Sequence, residues 1–324
     1  MKKNNQLIGV LFLLLAALVW GFAFVAQSKG MDSLTPAQFC ALRFVLGSVI
    51  LLPVVALSDF VSNGNCRGYW PKWKGKKLWL YGLACGACLG VASMLQQWGM
   101  IDAEAGKAGF LTVLYIIGVP IFGVFVGRKS TILLWIAVAF AVVGSYFLCN
   151  PDVDISKIFS SASSNTAVDR VDGTSGSKGW QFCDTLLILC AVAFTFHILV
   201  IDKCVQFVDA MRVATVQSLV AGVIALIVSI VLRESWSLEH VLGAAYSILY
   251  CAACSTGIGY SCQFLGQRSV HPVAESLIMS LESVFAAIGG YMLLGERMET
   301  MELWGCAIIF VAVILAQIPT KSKS

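Results

Sequence analysis

Apolar residues fill most of the chain in long runs, and short polar segments separate each run from the next. The runs are about 20 residues long, the length that an α-helix needs to cross a hydrocarbon core of ~30 Å. Because they are continuously apolar and do not alternate with polar residues, they predict transmembrane helices and not barrel strands. Ten spans are predicted, over Leu7–Gln27, Thr35–Leu57, Leu78–Met100, Gly106–Val126, Thr131–Cys149, Trp180–Ile201, Val208–Val231, His240–Leu265, Pro272–Leu294 and Met301–Ile318.

The composition is that of a membrane protein, with 58% hydrophobic and 12% charged residues. Soluble domains carry about 25% charged residues, and the deficit here extends along the whole chain. We therefore expect a multi-pass protein of the inner (plasma) membrane, in contact with the lipid bilayer. The net charge of +4 does not indicate nucleic acid as a partner, because the basic residues form no stripe with interleaved aromatic residues.

Lysine and arginine are distributed unequally between the two sets of loops. If the N-terminus is cytoplasmic, the inner segments carry 14 of these residues and the outer segments carry 7. Basic residues are enriched in cytoplasmic loops, so both termini are predicted to be cytoplasmic. The start, Met1-Lys2-Lys3, resembles that of a signal peptide, but the apolar run after it is long and no small-x-small cleavage site follows closely. We expect this run to remain as the first helix.

One long loop divides the chain into two halves. Residues 150–179 are rich in Ser, Asp and Gly, a composition that cannot bury enough apolar surface to fold, and they are predicted to be a flexible extracytoplasmic linker. A first five-helix repeat is predicted over residues 1–149 and a second over 180–319, with a cytoplasmic tail over 320–324.

The two halves share short sequence matches, one for each helix and in the same order. The matched sets are Trp20 and Phe22 with Phe194 and Phe196, Arg43–Ile50 with Gln217–Ile224, Gln96 and Gly99 with Gln263 and Gly266, Val119–Phe122 with Glu282–Phe285, and Leu134 and Trp135 with Leu303 and Trp304. Since each half has an odd number of spans, the second half enters the membrane from the opposite side. The predicted fold class is an all-α membrane protein of ten transmembrane helices in two inverted five-helix repeats, a design common in secondary transporters.

The most specific motifs are short and mostly apolar. They are Trp20-Gly21-Phe22-Ala23-Phe24, Arg43-Phe44, Val119-Pro120, Leu281-Glu282-Ser283-Val284-Phe285-Ala286 and Leu294-Gly295-Glu296. With these motifs the chain resembles the drug/metabolite transporter superfamily, in its EamA-like ten-helix branch. The resemblance implies transport of amino acids, related metabolites or amphipathic drugs, commonly in the direction of export. Members often have proline after the acid of span nine, where this chain has Ser283.

Polar side chains within the spans are the candidates for a substrate site, because an ionisable group at bilayer depth must face the bundle interior and find partners. Arg43 could bind a substrate carboxylate through its rigid fork of donors, and Glu282 could bind an amine or a proton. The alternative is that Arg43 and Glu282 pair with each other or with neighbouring polar groups and serve packing. The predicted substrate-binding residues are Trp20, Arg43, Gln97, Tyr115, His197, Gln217, Gln263 and Glu282.

Several further residues carry structural expectations. Pro120 should bend span four or break its hydrogen-bond ladder. Gly82, Gly86 and Gly90 recur every four residues and should allow close helix contact within the bundle. Glu275 and His271, near the inner end of span nine, are expected to reach water.

The function predicted is a secondary transporter with alternating access to a central cavity. The sequence has no Gly-rich phosphate loop that could bind ATP. The cysteines of its two Cys-x-x-Cys pairs are expected to serve as small packing residues, and this role is favoured over a metal or redox role. No cofactor or metal is expected, while proton coupling and a homodimer stay open. A lipid or lipid-linked sugar translocase is the alternative, and a membrane-embedded enzyme is disfavoured because no cluster of acids and histidines is evident.

Overall fold

The computed structural model describes residues 2–63, 72–101, 105–125, 131–149, 182–294 and 300–317, and these ranges contain helices and turns but no strand. The helices are α1 (Lys2–Met31), α2 (Pro36–Asn63), α3 (Lys76–Gly99), α4 (Ala105–Val113), α5 (Tyr115–Phe125), α6 (Ile132–Cys149), α7 (Phe182–Cys204), α8 (Ala210–Val231), α9 (Leu238–Gly243), α10 (Ala245–Tyr250), α11 (Tyr260–Gln267), α12 (Pro272–Met279), α13 (Leu281–Gly289) and α14 (Thr300–Gln317). Two π-helical segments, Cys251–Gly259 and Gly290–Leu294, follow α10 and α13.

Within these ranges, six helical stretches are long and apolar enough to cross a membrane. They coincide with predicted spans one, two, three, six, seven and nine and cover Asn5–Met31, Pro36–Phe60, Lys76–Gly99, Thr185–Cys204, Ala210–Val231 and Pro272–Leu293. Shorter apolar helices occupy Leu111–Phe125, Ile132–Gly144 and Leu303–Leu315, within predicted spans four, five and ten. The protein is therefore an all-helical membrane protein. The predicted linker at 150–179 and the tail at 320–324 lie outside the described residues.

The predicted eighth span is not one regular helix. Its residues form α9, α10, the π-helical segment Cys251–Gly259 and α11 in succession. A π-helical turn widens the backbone and often occurs at a functional site. Here the segment includes Ser255, which lines the central cavity described below.

The predicted fourth and ninth spans are interrupted near their middles. α4 ends at Val113 and α5 begins at Tyr115, and α12 ends at Met279 before α13 begins at Leu281. Pro120 lies inside α5, so the interruption of span four occurs about one and a half turns before the proline. Pro120 cannot donate a backbone hydrogen bond within this short helix.

Long helices from the two halves pack against each other. α2 packs along α8, and α6 packs along α14. α3 contacts both α7 and α8, while α1 contacts α11, α12 and α13. The largest group of buried apolar side chains combines residues of α1, α5, α6, α7, α12 and α14.

The glycine stripe of α3 brings that helix close to α8, as the sequence predicts. A Cβ atom on Gly86 would lie 2.6 Å from the Cβ of Val220 and 2.8 Å from the backbone oxygen of Gln217. A Cβ on Gly90 would lie 3.3 Å from the Cα of Ala221. Only hydrogen fits at Gly86 without a shift of the two helices, and the expected contact within the bundle is confirmed.

Candidate functional site

A cavity lies at the centre of the helices and is lined by residues of both halves. The space free of atoms is ≈ 540 Å³ when the part open to the outside is included. The volume that the centres of water molecules can occupy inside the cavity is only ≈ 40 Å³. At ~10–15 Å³ per water centre, this conformation has room for about three water molecules. The lining residues are Trp20, Gln27, Arg43, Gln96, Thr112, Tyr115, Phe194, His197, Ile198, Ser255, Tyr260, Gln263, Met279 and Glu282.

Arg43 is the cation of this cavity, on α2 and only 3% exposed. Its Nη1 donates a hydrogen bond to Oε1 of Gln27 on α1. The guanidinium carbon lies 4.5 Å from the centroid of the Phe44 ring, within the range of a cation–π contact. The buried Nε atom has no hydrogen-bond partner among the described residues. Arg43 is thus held in place by its neighbours while part of its donor capacity remains unused.

Glu282 is the carboxylate of the cavity, in the first turn of α13, and it is 7% exposed. In the described part of the chain it has neither a hydrogen-bond partner nor an ion-pair partner. Arg43 and Glu282 therefore line one cavity without forming an ion pair with each other. A buried ion is costly without a counter-charge or donors, and an opposite charge on a bound molecule would lower that cost at either group.

Aromatic rings form much of the remaining wall. The indole Nε1 of Trp20 donates to the backbone oxygen of Ser255 at 2.9 Å, which ties α1 to the π-helical segment. The Trp20 ring lies 4.8 Å from the ring of Tyr260, measured between centroids. On the other wall, the rings of Tyr115 and Phe194 meet edge to face with centroids 6.4 Å apart. These rings provide flat apolar surfaces beside the two charged groups.

Six of the predicted substrate-binding residues line the cavity, and Gln97 and Gln217 do not. Gln217 lies behind His197, with its Oε1 atom 2.9 Å from His197 Nε2, so it contacts a cavity residue and not the cavity. Gln97 is fully buried away from the cavity, while its neighbour Gln96 lines the wall. Consecutive helical residues differ by about 100° in direction, and this separates the two glutamines.

The expectation that Glu275 reaches water is wrong, since its side chain is 0% exposed. Its carboxylate accepts hydrogen bonds from Gln263 Nε2, at 3.1 Å, and from Gln267 Nε2. Gln267 Nε2 also donates to the backbone oxygen of Ile198 at 3.2 Å. The two amides satisfy the acid inside the protein, which is why it need not reach the surface.

The hydrogen-bonded set Gln263–Glu275–Gln267 extends from the cavity to a polar pocket. Gln263 lines the central cavity, and Gln267 lines a second pocket together with Asp202, Arg268 and His271. Arg268 is exposed at the end of α11. Polar side chains therefore connect the centre of the protein with this pocket, which we call the polar vestibule.

The cavity includes polar residues that the prediction omitted, among them Gln27, Thr112 and Ser255. Two further lining residues that the prediction omitted are Gln96 and Phe194. The internal sequence matches could have indicated them, because Gln96 matches Gln263 and Phe194 matches Trp20. All four residues line the cavity. Within the described ranges there is no group of three or more His, Cys, Asp or Glu side chains that could hold a metal ion.

A known protein family matches the chain in two parts, one in each of the predicted halves. The model of the EamA-like transporter family matches residues 7–150 and 181–317. The chain belongs to the EamA-like transporter family. This assignment makes the protein a transporter of the drug/metabolite transporter superfamily and gives no indication of an enzyme.

Two individual proteins are similar to this EamA-like protein over nearly its whole length. An uncharacterized transporter of Archaeoglobus fulgidus is 24% identical, and the match spans 97% of this chain and 87% of the relative. A solved crystal structure aligns with a TM-score of 0.70 and 14% identity, covering 97% of this chain and 96% of the other. The structural likeness shows a shared fold.

Proposed function

We propose that this EamA-like protein is a secondary transporter of the inner membrane that exports small zwitterionic or amphipathic metabolites, such as amino acids. The observation that supports this most is the placement of Arg43 and Glu282 on one cavity without an ion pair between them. The Arg43 fork suits a carboxylate, and Glu282 suits an ammonium group. The rings of Trp20 and Tyr260 suit the apolar part of such a molecule.

The carboxylate and the ammonium group of a zwitterion would supply the counter-charges that Arg43 and Glu282 lack in this cavity. Its carboxylate could accept from Arg43, whose Nε has no partner among the described residues. Its ammonium group could donate to Glu282. Both groups are nearly inaccessible to water, so these charge-assisted bonds would form at low dielectric, where they are strong. A polyphosphate fits less well, because Arg43 is the single cation among the residues that line the cavity.

The ten-helix inverted repeat remains part of the proposal, and helix packing supports it. If α1 to α6 correspond to α7 to α14, then α2 corresponds to α8 and α6 to α14. These counterparts pack against each other, as elements near a two-fold axis do. The contact of α3 with α7 likewise has a counterpart in the contact of α11 with α1.

Side-chain hydrogen bonds support the same relation. Gln96 Nε2 donates to Thr112 Oγ1 at 3.5 Å, and Gln263 Nε2 donates to Glu275 Oε1 at 3.1 Å. Gln96 matches Gln263 in the sequence, and Thr112 and Glu275 each lie seven residues before the matched positions 119 and 282. Equivalent bonds thus join equivalent helices in the two halves.

The mechanism we propose is alternating access, with Gln263, Glu275 and Gln267 as the barrier between the cavity and the polar vestibule. Arg268 lines this pocket, and Lys203 follows its lining residue Asp202 in the sequence. Both basic residues belong to segments proposed to be cytoplasmic. The cavity in this conformation is too small for a metabolite, so binding requires the helices around it to separate. The interruptions at Leu114 and Ser280 provide places where such movement can occur.

Extracellular metabolite profiling of bacteria that overproduce the protein tests this proposal. Cells with the natural protein should enrich one class of zwitterionic or amphipathic solute in the medium. Arg43→Gln and Glu282→Gln should each reduce that enrichment at least tenfold, because a hydrogen bond to a charged group contributes roughly 1.5–3 kcal/mol. The controls Arg233→Gln and Glu239→Gln change exposed residues and should preserve it.

Membrane levels of all variants are measured in the same cells. Absence of enrichment by the correctly inserted natural protein would count against metabolite export. Enrichment that persists in Arg43→Gln and Glu282→Gln would count against the assigned binding groups.

A further inference from the structure

A basic pocket lies at one end of the protein, away from the central cavity. We call it the lysine pocket, and its lining consists of Lys72, Gly75, Lys76, Lys77, Leu78, Phe207, Val208, Asp209 and Arg212. The volume of this pocket that the centres of water molecules can occupy is ≈ 410 Å³, about ten times that of the central cavity. The start of α3 therefore forms part of a roomy, cationic pocket.

The charges of the lysine pocket do not cancel. Lys72 and Arg212 share the carboxylate of Asp59, with Lys72 Nζ 2.8 Å from its Oδ1, and Arg212 also lies 3.4 Å from Asp209. Among the described residues, these two acids and the four cations that line the pocket give a net charge of +2. The surplus resides on Lys76 and Lys77, which are exposed and have no ion pair among the described residues.

An apolar groove lies next to this pocket on the side of the protein. We call it the aromatic groove, and its lining consists of Leu80, Tyr81, Ala84, Phe122, Phe125, Phe196, Leu199, Val200 and Lys203. The corresponding volume of the groove is also ≈ 410 Å³. Phe125 is 83% exposed and Leu80 is 67% exposed, so the groove opens on the outer surface of the helix bundle, the surface that a membrane protein presents to lipid.

Phe207 and Tyr81 join the two sites. Phe207 lines the lysine pocket, Tyr81 lines the aromatic groove, and their rings stack with centroids 6.2 Å apart and an interplanar angle of 7°. Lys77 Nζ lies 5.2 Å from the centroid of the Phe207 ring. Trp79, 43% exposed, donates from Nε1 to the backbone oxygen of Trp73 at 2.8 Å. Lys77 and Trp79 lie in the first turn of α3, and tryptophan at the end of a membrane helix and lysine in cytoplasmic segments are typical of the region around the lipid headgroups.

We propose that the lysine pocket and the aromatic groove together bind an anionic phospholipid. Its phosphate lies beside Lys76 and Lys77, and an acyl chain lies along Tyr81 and Phe122. Both halves of the assignment rest on complementarity: the pocket has a surplus of positive charge, and the groove beside it is apolar and faces the bilayer. Basic pockets between helices at the cytoplasmic surface are suited to anionic headgroups. The site is independent of the transport cavity and of its substrate.

Native mass spectrometry of the full-length protein in detergent tests the proposal. Phosphatidylglycerol and phosphatidylcholine with the same oleoyl chains are titrated, and phosphatidylglycerol should bind at least tenfold more tightly. Lys76→Gln and Lys77→Gln should each weaken its binding about fivefold, the effect of one lysine near an anionic surface. Binding of phosphatidylcholine should not change.

Lys74→Gln is the matched control, because Lys74 is exposed beside the pocket but does not line it. Its effect on phosphatidylglycerol binding should stay within twofold. An equal loss in Lys74→Gln, or an absence of headgroup preference, would overturn the site. A dihexanoyl phosphatidylglycerol that binds as tightly as the oleoyl lipid, or inorganic phosphate that displaces the lipid, would show a site for soluble anions instead.

Discussion

Gln263 faces the central cavity and donates a hydrogen bond, at 3.1 Å, to Glu275, a carboxylate that is completely buried behind it. Glu275 has no cation beside it among the described residues, and its hydrogen-bond donors there are the amides of Gln263 and Gln267. The acid thus joins Gln263, which lines the cavity, to Gln267, which lines the polar vestibule.

Removal of the Glu275 carboxylate should destabilise the protein in a graded manner. In Glu275→Ala the Gln263 amide loses its acceptor and Gln267 Nε2 keeps only the backbone oxygen of Ile198. An unsatisfied buried group costs about 1–3 kcal/mol. Glu275→Gln should be milder, because Gln263 Oε1 and Gln267 Oε1 have no hydrogen-bond partner among the described residues and can accept from the new amide after a side-chain flip. Thermal unfolding in detergent should rank the natural protein first, Glu275→Gln second and Glu275→Ala last. An unchanged melting temperature for Glu275→Ala would contradict the role of the acid, and Glu239→Ala, at an exposed acid, is the control.

The close contact of α3 with α8 should make Gly86 intolerant of a methyl group. A Cβ there would lie 2.8 Å from the Gln217 backbone oxygen, so Gly86→Ala must push the two helices apart. Overpacking of this kind costs about 1–3 kcal/mol. Gly109→Ala is the matched control, since within the described part of the chain its Cβ would meet no atom nearer than 3.9 Å. Helix propensity alone favours alanine by about 1 kcal/mol. Gly86→Ala should therefore melt below the natural protein and Gly109→Ala at or above it, whereas equal melting temperatures would refute the packing argument.

The buried ion pair of Asp59 and Arg212 should contribute far more to stability than an exposed pair. The side chains are 7% and 3% exposed, and Asp59→Asn removes one of the two carboxylates that contact Arg212, while Asp209 stays 3.4 Å away. Breaking a buried pair costs roughly 3–5 kcal/mol when the remaining charge is left uncompensated, so this range is the upper limit here. Asp32→Asn is the control, because its pair with Lys29 is 69% and 61% exposed and is expected to contribute about 0–1 kcal/mol. Chemical unfolding in mixed micelles measures both, and a similar small effect for the two variants would contradict this account.

Much of the helical architecture could be predicted from the sequence, because a bilayer imposes both length and composition on each span. Arg43 and Glu282 could be singled out for the same reason, since an ion within an apolar run must face inward. The side-chain direction of neighbouring residues could not be predicted. The apolar run that contains Gln96 and Gln97 has no polar face. The sequence therefore does not indicate which side of this helix faces the cavity.

Two other features required the tertiary structure. Asp59 and Arg212 are 153 residues apart, and no local pattern indicates that one partners the other. The burial of Glu275 depends on glutamines of α11 that approach it only in the folded protein. Near the end of a span, an acid with such partners has the same sequence signature as an acid that reaches water.

Transport by purified protein in proteoliposomes tests the central claim most directly. The solute identified by metabolite profiling is compared with its methyl ester, which lacks the carboxylate, and its N-acetyl derivative, which lacks the ammonium group. The natural protein should move the parent solute at least tenfold faster than either derivative. Arg43→Gln should lose the preference over the ester alone, and Glu282→Gln the preference over the N-acetyl form alone. If both variants discriminate between the three solutes as the natural protein does, Arg43 and Glu282 do not recognise the substrate and the proposed site is wrong.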